Sequence, residues 1–461
     1  MGALASSRVQ EAVLQLPESS PSPLSDPTLG DEEQGGLAER ISTRTAVVGV
    51  VGLGYVGLPL LVAAGTQGFQ VIGVDVDPHK VRSLAGRRSH IDGVSEGQLS
   101  SLGNVRYTTS TRPLRAADII VITVPTPLTD AMPDLSLVKR ACASVAQVLR
   151  LGQLVILEST TYPGTTDEIV LPILESSGLV AGRDFLLGYS PERINPGSSW
   201  NVSAIPKIVS GIDESSVRSV ELFYKQIVPN VVRTPSPREA EMAKLIENTF
   251  RQVNIALVNE LAMIAPDIGV DIWSALEAAA TKPFGYMPFW PGPGVGGHCI
   301  AIDPGYLSWR VGQRVGFGLG FVEHATKVNK RMPAYVAARV GEALNDVGKP
   351  IRGSRILALG VSYKSGVRDT RESPAVAVIE RLARAGAICS YHDPHVADIR
   401  MLGQELNSQP LVDKVVCSQD CVVILTSHPD HDYGAIVRSA SLVFDARGAT
   451  RGLKSPNIVR L

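Results

Sequence analysis

The feature that most constrains this chain is the stretch of residues 45–74, which carries no charged side chain. A segment of that length and polarity meets the length criterion for a membrane-spanning helix. Glycines and one proline interrupt it, however, at the turn positions of a strand-turn-helix-strand unit, and such a unit is typically buried under a parallel sheet. We therefore expect this stretch to form the core of an α/β domain and not a membrane span.

The composition is that of a soluble globular protein. The chain has 461 residues, enough for roughly two to four domains. Hydrophobic residues make up 44%, charged residues 19%, and the net charge is −1, which gives no support to binding of nucleic acid. The five cysteines are scattered, without a CxxC pair, which argues against a disulfide framework and a zinc site. We expect a reduced, cytoplasmic protein that holds no metal.

The N-terminus lacks the basic and apolar segments of a secretion signal. Residues 17–39 are rich in Ser, Pro, Gly and acidic side chains. We expect residues 1–42 to form a flexible tail.

Four apolar runs rich in Val and Ile predict buried parallel strands after this tail. They are residues 46–51, 71–74, 119–124 and 154–157. Helical periodicity between them predicts that residues 43–233 form a doubly wound, Rossmann-like domain.

A long helix is predicted next. Ser236 is a capping residue, Pro237 suits the first helical position, and Glu239 follows the Ser by three residues. The helix is expected to end at Ala265, before Pro266, after roughly 43 Å at 1.5 Å per residue. We expect it to be the spine of a central helical domain, residues 234–348, and to support a homodimer interface.

A second α/β unit opens with the apolar run 355–360, so residues 349–461 are predicted to form another Rossmann-like domain. The predicted fold class is α/β, with two Rossmann-like open parallel sheets joined by a long central helix and a helical middle domain. Ligands of open sheets bind beyond the carboxyl ends of the strands. We therefore expect the chemistry to lie in the cleft between the two sheets.

A GxGxxG motif follows the first predicted strand and opens a helix, as Gly52-Leu-Gly54-Tyr55-Val56-Gly57. Its three glycines allow a tight turn, a close approach to a pyrophosphate, and packing of the helix on the strand. Asp75 ends the next strand, where a carboxylate accepts hydrogen bonds from an adenosine ribose; Asp77 is the alternative. A carboxylate repels a 2′-phosphate, so NAD is the expected cofactor.

Thr126 and Thr160 end two further predicted strands on the same side of the sheet. They are candidates for contacts with nicotinamide or ribose. A hydroxyl that stabilises a turn is the alternative interpretation of each.

The densest chemical signal is the glycine-rich segment 294–304. Cys299 precedes Asp303-Pro304, which predict a helix N-cap followed by proline. The positive end of that helix is expected to lower the pKa of the Cys299 thiol and favour the reactive thiolate. The alternatives are a buried, inert cysteine and an Asp that only caps. His298 is interpreted as a loop residue that forms hydrogen bonds.

The spine helix carries Lys244, Asn248 and Arg251 at helical spacing, on one face. A solvated polar face is the usual interpretation of such a stripe. If the face points into the cleft, Lys244 and Asn248 would stabilise an oxyanion.

Six motifs in order resemble the UDP-glucose/GDP-mannose dehydrogenase family, and within it the UDP-N-acetylhexosamine 6-dehydrogenases. The resemblance covers about residues 45–460. The motifs are Gly52-Leu-Gly-Tyr-Val-Gly57, Glu158-Ser-Thr-Thr-Tyr-Pro-Gly-Thr-Thr166, Ser190-Pro-Glu-Arg-Ile-Asn-Pro-Gly197, Lys244-Leu-Ile-Glu-Asn248 with Asn254-Ile-Ala-Leu-Val-Asn-Glu260, Gly296-Gly-His-Cys299 with Asp303-Pro304, and Tyr363-Lys364 with Asp369-Thr-Arg-Glu-Ser373.

The resemblance implies oxidation of a sugar C6 alcohol to a uronic acid with two NAD, as a step towards polysaccharide precursors. Cys299 would form a thiohemiacetal and then a thioester. Lys244 and Asn248 would stabilise the oxyanion and hold water, and Asp303 would be the general base or tune Lys244.

The resemblance also assigns ligand contacts. A UDP-sugar would be bound by Glu192, Arg193, Ile194, Asn195, Arg251 and Lys364. Arg371 would contact NAD, although a salt bridge with Asp369 or Glu372 is the alternative. Where the glucose branch has Glu-Lys-Ser-Thr, this chain has Leu157-Glu158-Ser159-Thr160, so Glu158 receives no water-positioning role.

Three other functions stay open on the sequence. A UDP-glucose 6-dehydrogenase, or a UDP-N-acetylmannosamine enzyme, differs only in recognition at C2 of the sugar. A one-step alcohol or 3-hydroxyacid dehydrogenase shares the GxGxxG motif and the helical middle. An inactive dinucleotide-binding regulator would keep the fold without turnover.

Overall fold

The computed structural model describes residues 31–91, 93–129, 132–193, 205–297 and 299–461. Ile194, Asn195 and His298, which were assigned roles above, lie outside the described residues.

An eight-stranded sheet forms the core of the N-terminal domain, in the order β10-β9-β8-β7-β4-β1-β2-β3. The strands of this domain, with the small hairpin β5 and β6, are β1 Val47–Val51, β2 Gln70–Val74, β3 Val105–Thr108, β4 Ile119–Ile122, β5 Leu128–Thr129, β6 Met132–Pro133, β7 Leu154–Leu157, β8 Leu186–Tyr189, β9 Lys207–Gly211 and β10 Val231–Arg233. The central strands β4 and β7 are buried along their whole length. Their unbroken apolar sequence is the pattern of a strand covered on both faces.

In the described part of this domain, seven α-helices accompany the sheet. They are α1 Asp31–Ser42, α2 Gly57–Thr66, α3 Pro78–Ala85, α4 Glu96–Ser101, α5 Ser136–Ala146, α6 Leu171–Glu175 and α7 Glu214–Lys225, with a 3₁₀ turn at Arg112–Ala116 and a π-helix at Thr166–Val170 before α6. The stretch 45–74 folds as β1, α2 and β2. Within the described part of the chain, no helix is both long and apolar enough to cross a membrane.

The prediction of an open, Rossmann-like sheet is confirmed, with one addition at its edge. Strands β1, β2, β3, β4, β7 and β8 are parallel. Strand β9 pairs antiparallel with β8, and β10 runs parallel to β9. The sheet is therefore mixed at the end that carries residues 207–233.

The prediction of a flexible tail is wrong for residues 31–42. They form helix α1, in which Leu37 is 2% exposed and Ile41 is fully buried. Both side chains pack in the same hydrophobic cluster as Phe223 and Tyr224 of α7. Burial of two large apolar side chains outweighs the polar composition of the segment, so the packed domain begins before residue 43.

The central part is helical, as predicted. It comprises α8 Pro237–Ile264, a 3₁₀ turn at Pro266–Ile268, α9 Ile272–Ala280, α10 Asp303–Val315 and α11 Gly320–Asp346. Helix α8 has 28 residues, about 42 Å at 1.5 Å per residue. Its predicted start is confirmed, because the Ser236 side chain accepts a hydrogen bond from the Arg238 amide and Pro237 is the first helical residue.

A second, five-stranded parallel sheet forms the C-terminal domain, in the order β12-β11-β15-β16-β17. Its strands and the separate hairpin β13 and β14 are β11 Arg355–Leu359, β12 Ile388–His392, β13 Asp398–Met401, β14 Gln404–Asn407, β15 Cys421–Ile424, β16 Val443–Asp445 and β17 Ile458–Arg460; its helices are α12 Pro374–Arg384, α13 Asp413–Cys417 and α14 Tyr433–Ser439. The second Rossmann-like sheet is thus confirmed.

Helix α8 contributes to the cores of both domains. Ala240 and Leu245, near its start, lie in the core built on β4 and β7. Val258 and Ala262, near its end, lie in the core of the C-terminal sheet. One continuous helix therefore sets the separation of the two sheets.

Candidate active site

The glycine motif forms a tight turn between β1 and α2. Gly52 has φ +95°, a conformation that side-chain-bearing residues rarely adopt. A Cβ on Gly57 would collide with the Gly52 carbonyl, so α2 packs against the turn only because residue 57 is glycine. A Cβ on Gly54 would meet no atom within 4 Å. The open side of Gly54 fits a pyrophosphate approaching the N-terminus of α2.

The carboxylate at the end of β2 is directed at this turn. Asp75 is 7% exposed, and its two oxygens accept hydrogen bonds from the amides of Leu53 and Asp77, each at 2.9 Å. The Asp77 side chain instead caps α3 by accepting from the His79 amide at 2.8 Å. Asp75 is therefore the acid that lies at the dinucleotide turn.

Thr126 and Thr160 follow β4 and β7, the strands next in order after β1. Both residues are half-buried. Because β1, β4 and β7 are parallel, both threonines lie at the same edge of the sheet as Gly52. Thr126 also lies within reach of the Tyr306 hydroxyl of α10, so this edge adjoins the helix that follows Cys299.

Cys299 is accessible to solvent and lies between the two domains. The preceding loop is close against the C-terminal domain: a Cβ on Gly296 would lie 2.5 Å from the Glu372 carbonyl oxygen, and one on Gly297 would lie 2.7 Å from the Tyr363 ring. After Cys299 the chain turns into α10, because the Cys299 carbonyl accepts from the Asp303 amide at 2.9 Å. The glycines let this loop fit against the second domain.

Lys244, Asn248 and Asp303 are brought together beneath the loop. The three residues are 6%, 4% and 5% exposed. The Asn248 side-chain amide donates to Asp303 Oδ2 at 2.5 Å. Burial raises the pKa of Asp303 to about 7, although Lys244 and the Asn248 hydrogen bond oppose this rise. A carboxyl group with that pKa can both accept and release a proton near neutral pH.

Two expectations about this region are wrong. Asp303 does not cap α10, because the helix begins at Asp303 itself and its N-cap residue, Ile302, makes no side-chain capping bond. The pKa of the Cys299 thiol is raised, not lowered. The surrounding protein and the Asp303 carboxylate disfavour the thiolate more than Lys244 and Arg251 favour it.

The residues assigned to substrate approach Cys299 from several elements. Arg251 of α8 acts electrostatically on the Cys299 thiol and on the Lys364 ammonium, whose pKa is lowered by burial and by Arg251. Arg193 forms an ion pair with Glu247 of α8 at 2.5 Å and donates to the Pro206 carbonyl at 2.8 Å. Lys244, Asn248 and Arg251 thus share the cleft-facing side of α8, and the solvated interpretation of this stripe is excluded.

Arg371 forms the salt bridge that was the alternative interpretation of this residue. Its guanidinium pairs with the Asp369 carboxylate at 2.7 Å. It also lies 5.7 Å from the ring centroid of Tyr55, in the glycine motif of the other domain. The cation is therefore presented to the dinucleotide turn in an orientation fixed by Asp369.

Sequence models of the UDP-glucose/GDP-mannose dehydrogenase family match three consecutive parts of the chain. The NAD binding domain matches residues 46–228, the central domain residues 238–331 and the UDP binding domain residues 357–452. The chain belongs to this family. The two sheets separated by α8 are its dinucleotide and nucleotide-sugar halves, and the chain is an NAD-dependent nucleotide-sugar dehydrogenase.

Individual relatives match over most of their length. A UDP-N-acetyl-D-glucosamine 6-dehydrogenase of Pseudomonas aeruginosa is 38% identical over 357 residues, 76% of this chain and 83% of that relative. A UDP-N-acetyl-D-mannosamine dehydrogenase of Pyrococcus horikoshii is 34% identical over 388 residues, 83% and 90% respectively. A solved structure of a UDP-D-ManNAc dehydrogenase from Pyrococcus horikoshii has a TM-score of 0.79 at 33% identity, and covers 90% of this chain and 98% of its own.

This dehydrogenase also contains a buried ionic cluster that no motif in the sequence predicted, around Glu192 at the start of the substrate loop. The Lys207 ammonium contacts the Glu158 carboxylate and pairs with Glu192 at 2.8 Å, while Tyr224 donates to Glu158 at 2.8 Å. Burial raises the pKa of Glu158 to about 7, and the two carboxylates raise that of Lys207 against the effect of burial. The available signal was a lysine at the head of a strand whose remaining residues are apolar or small.

Arg447, which follows β16, likewise has no motif in the sequence that points to it. A Cβ on Gly292 would collide with its guanidinium, so Arg447 lies directly against the loop that leads to Cys299. Burial lowers its pKa, although Asp445 opposes this. The C-terminal domain thus places a cation against the middle of this loop.

Replacing Gly54 with valine is expected to block the cofactor without disturbing the fold. Nothing lies within 4 Å of the Cβ position, so the side chain enters only the space proposed for the pyrophosphate. The Kd for NAD, measured by isothermal titration calorimetry, should rise on the order of tenfold or more. Gly103→Val, at an equally open position, is the control. An unchanged Kd in Gly54→Val would place the cofactor elsewhere.

Asp303→Asn is expected to alter the pH dependence of stability. The folded-state pKa of about 7 lies above the ordinary value of 3.8. Between these values the folded protein keeps a proton that the unfolded chain releases, so the wild type loses stability as the pH rises from about 4 to 7. Asparagine has no such proton. The melting temperature of the variant relative to wild type, by differential scanning calorimetry, should therefore increase between pH 4 and 8.

Glu158 and Glu241 also have pKa values raised to about 7 by burial, but they contribute to both proteins and cancel in the difference. Asp346→Asn, at an exposed position at the end of α11, is the matched control. Parallel curves for Asp303→Asn and wild type would show that Asp303 does not carry the shifted proton.

Proposed function

We propose that this enzyme oxidises the C6 alcohol of a UDP-N-acetylhexosamine, UDP-N-acetylglucosamine in the first place, to the uronic acid. The observation that supports it most strongly is the meeting of accessible Cys299 with buried Lys244, Asn248 and Asp303 between a dinucleotide turn and a nucleotide-sugar domain. A one-step alcohol dehydrogenase needs a base and a hydride acceptor, but no nucleophilic thiol. The presence of a thiol in addition to a base and a dinucleotide turn favours a four-electron reaction.

The first half of the proposed reaction forms an aldehyde. NAD, bound at the turn of Gly52, Gly54 and Gly57, would supply the chemistry of hydride acceptance in both halves. As hydride leaves C6, the O6 proton passes to a base, and Asp303 has a pKa in the useful range. Lys244 is placed to stabilise negative charge that develops on O6.

The second half passes through covalent intermediates on sulfur. The Cys299 thiolate forms a carbon–sulfur bond with the aldehyde carbon, and Lys244 and Asn248 stabilise the resulting alkoxide of the thiohemiacetal. Loss of a second hydride from C6 leaves a thioester. Water then adds to the carbonyl, the carbon–sulfur bond breaks, and the products are the carboxylate and the thiol.

The raised thiol pKa gives Asp303 a further role in this scheme. The thiol must lose a proton before it attacks, and a buried carboxylate one helical turn away raises the cost of the thiolate. When Asp303 takes up a proton from O6, that repulsion disappears, and the Cys299 thiol releases its own proton to the solvent to which it is accessible. Alcohol oxidation and thiolate formation are thereby coupled through one carboxyl group.

Three cations support recognition of a diphosphate. Lys364 and Arg447 approach from the C-terminal domain and Arg251 from α8. Arginine and lysine are the side chains that bind phosphate groups most often. The N-acetyl sugar is assigned from the relatives named above, whose substrates carry a 2-acetamido group, and UDP-glucose is the alternative substrate.

The exposed face of α8 supports assembly as a homodimer. Met242, Ile246, Phe250, Leu257, Leu261 and Ile264 lie at helical spacing, and each is between 36% and 54% exposed. Contiguous apolar side chains on one face are typical of an interaction site. We place a twofold interface there, in which two copies of α8 pack on each other.

With a UDP-sugar and NAD as ligands and a free reactive thiol, the cytoplasm is the compartment we propose.

The stoichiometry of the reaction tests the proposed function. With UDP-N-acetylglucosamine the enzyme should release two NADH per sugar and a uronic acid, measured by absorbance at 340 nm and mass spectrometry, and UDP-glucose should be the poorer substrate. Cys299→Ser should lose turnover, on the order of a thousandfold or more, and keep its affinity for NAD. Cys417→Ser, at another exposed cysteine, is the control. One NADH per sugar, or full activity in Cys299→Ser, contradicts the proposal.

Ile246→Asp is expected to weaken the homodimer. Ile246 is 54% exposed in the middle of the apolar face, and a carboxylate buried there without a partner is costly. Sedimentation velocity should show a monomer at concentrations where the wild type is a dimer. Leu151→Asp, at a 51% exposed residue of the N-terminal domain away from α8, should sediment like wild type; the same result for Ile246→Asp would place the interface elsewhere.

A further inference from the structure

The loop that leads to Cys299 is attached to the spine helix by a side-chain hydrogen bond. Residues 281–302, between α9 and α10, contain no α-helix or β-strand among the described positions, so few backbone bonds of regular structure fix their path. Near the middle, the Gly292 amide donates to Asn259 Oδ1 of α8 at 2.9 Å. This bond ties the loop to a rigid element, seven residues before the nucleophile.

Asn259 is itself oriented by a chain of buried amides. Its Nδ2 donates to Asn329 Oδ1 of α11 at 2.9 Å, and Asn329 Nδ2 donates to the Gln252 carbonyl at 3.3 Å. Asn259, Asn329 and Gln252 are 0%, 7% and 3% exposed. Because the amide nitrogen of Asn259 is directed to α11, its oxygen must face the loop.

Packing of two helices does not need this chain. Around the same crossing, α8 and α11 are joined by apolar contacts that include Val258, Ala262, Met332 and Val336. Buried amides bring a desolvation cost that apolar side chains do not have, and that cost is offset only when every group is paired. The buried amides instead orient the Asn259 side chain so that its Oδ1 faces the Gly292 amide.

The loop has a second anchor on its other side. The Gly297 amide donates to the Arg371 carbonyl at 3.4 Å, and Gly296 and Gly297 lie against Glu372 and Tyr363. Between the two anchors, a Cβ on Gly294 would lie 3.0 Å from the Asn329 carbonyl oxygen. Cys299 follows the second anchor by two residues, so its position depends on where both anchors hold the loop.

We propose that Asn259, oriented by Asn329, is a positioning residue that sets the place of Cys299 relative to the sugar C6 through the Gly292 amide. The inference rests on the proposed function in that Cys299 is the nucleophile. Nucleophilic attack is sensitive to displacements of about 1 Å, which can cost on the order of a hundredfold in rate. Asn259 touches neither ligand, so its loss should lower kcat more than it raises either KM.

Two substitutions of Asn259 separate positioning of the loop from packing of the helices. Asn259→Leu fills the space and suits an apolar helix interface, but removes the bond to Gly292. Asn259→Asp keeps an acceptor for the Gly292 amide, but introduces a buried charge at neutral pH. Positioning predicts that Asp is the more active variant and the less stable one, whereas a packing role predicts that activity follows stability.

The experiment measures melting temperature, kcat, both KM values and the rate of carbamidomethylation of Cys299 by iodoacetamide. Asn259→Leu should lower kcat about 10- to 100-fold, with each KM within about threefold of wild type, and Asn259→Asp should recover part of kcat. The Cys299 rate, read by peptide mass spectrometry, should change in Asn259→Leu, with Cys417 in the same digest as the internal reference. Asn345→Leu and Asn345→Asp, at an exposed asparagine of α11, are the matched controls.

The outcomes are distinct. Activity that follows the order of melting temperatures, or an unchanged Cys299 alkylation rate in Asn259→Leu, overturns the proposal. If Asn259→Leu does not fold, Asn329→Leu replaces it: it leaves the Gly292 bond but releases the Asn259 amide, so a smaller loss of kcat in the same direction is expected, and none overturns the proposal. If wild type makes no NADH from any UDP-sugar, the proposed function fails, while the alkylation rates still test the loop.

Discussion

The arrangement of this dehydrogenase depends on the burial of one helix in two hydrophobic cores. The first turns of α8 belong to the N-terminal core and its last turns to the C-terminal core. A helix is stiff on the scale of its 28 residues, because each turn is fixed by backbone hydrogen bonds. The helix therefore fixes the positions of Lys244, Asn248 and Arg251 relative to both sheets. In the proposed reaction, NAD on the first sheet must reach C6 of a sugar held by the second sheet. That contact requires a fixed distance between the two sheets.

Around this helix the site concentrates buried ionisable groups. Asp303, Glu158 and Glu241 each have a pKa raised to about 7 by burial. Glu241 is satisfied by the amides of Gly164 and Thr166, which attach the loop after β7 to α8. Such groups lower the stability of the folded protein as the pH rises from about 4 to about 7, because the unfolded chain releases their protons at lower pH than the folded chain does. Their concentration near the cleft is the pattern expected where chemistry has been favoured over stability.

Most of the fold followed from the sequence because buried parallel strands are apolar throughout their length. The predicted strand 154–157 coincides with β7, and the predicted start of α8 coincides with its capping Ser236. Strands β9 and β10 gave little signal, since β9 begins with Lys207 and two of the three residues of β10 are exposed. Helix α1 was missed because only Leu37 and Ile41 among its residues are buried hydrophobics.

The site was predicted less completely, for a different reason. Motifs identified Cys299, Lys244, Asn248 and Asp303, but not the sign of their mutual effects. Asp303 was interpreted as a cap; it is instead the first residue of α10. Burial and the charge of Asp303 together raise the pKa of the Cys299 thiol. Asn259 lay within a family motif but received no role of its own, because an amide within a helix becomes informative only when its two partners, on α11 and on a distant loop, are seen.

The raised pKa of the Cys299 thiol also affects how readily this residue is oxidised between turnovers. Peroxide and other oxidants attack the thiolate far faster than the thiol, and the first product, a sulfenic acid, is the entry to irreversible oxidation. An accessible cysteine that rests in its protonated form is a slow target for such damage. Burial and the Asp303 carboxylate, which raise the pKa of this thiol, thereby also protect it from oxidation.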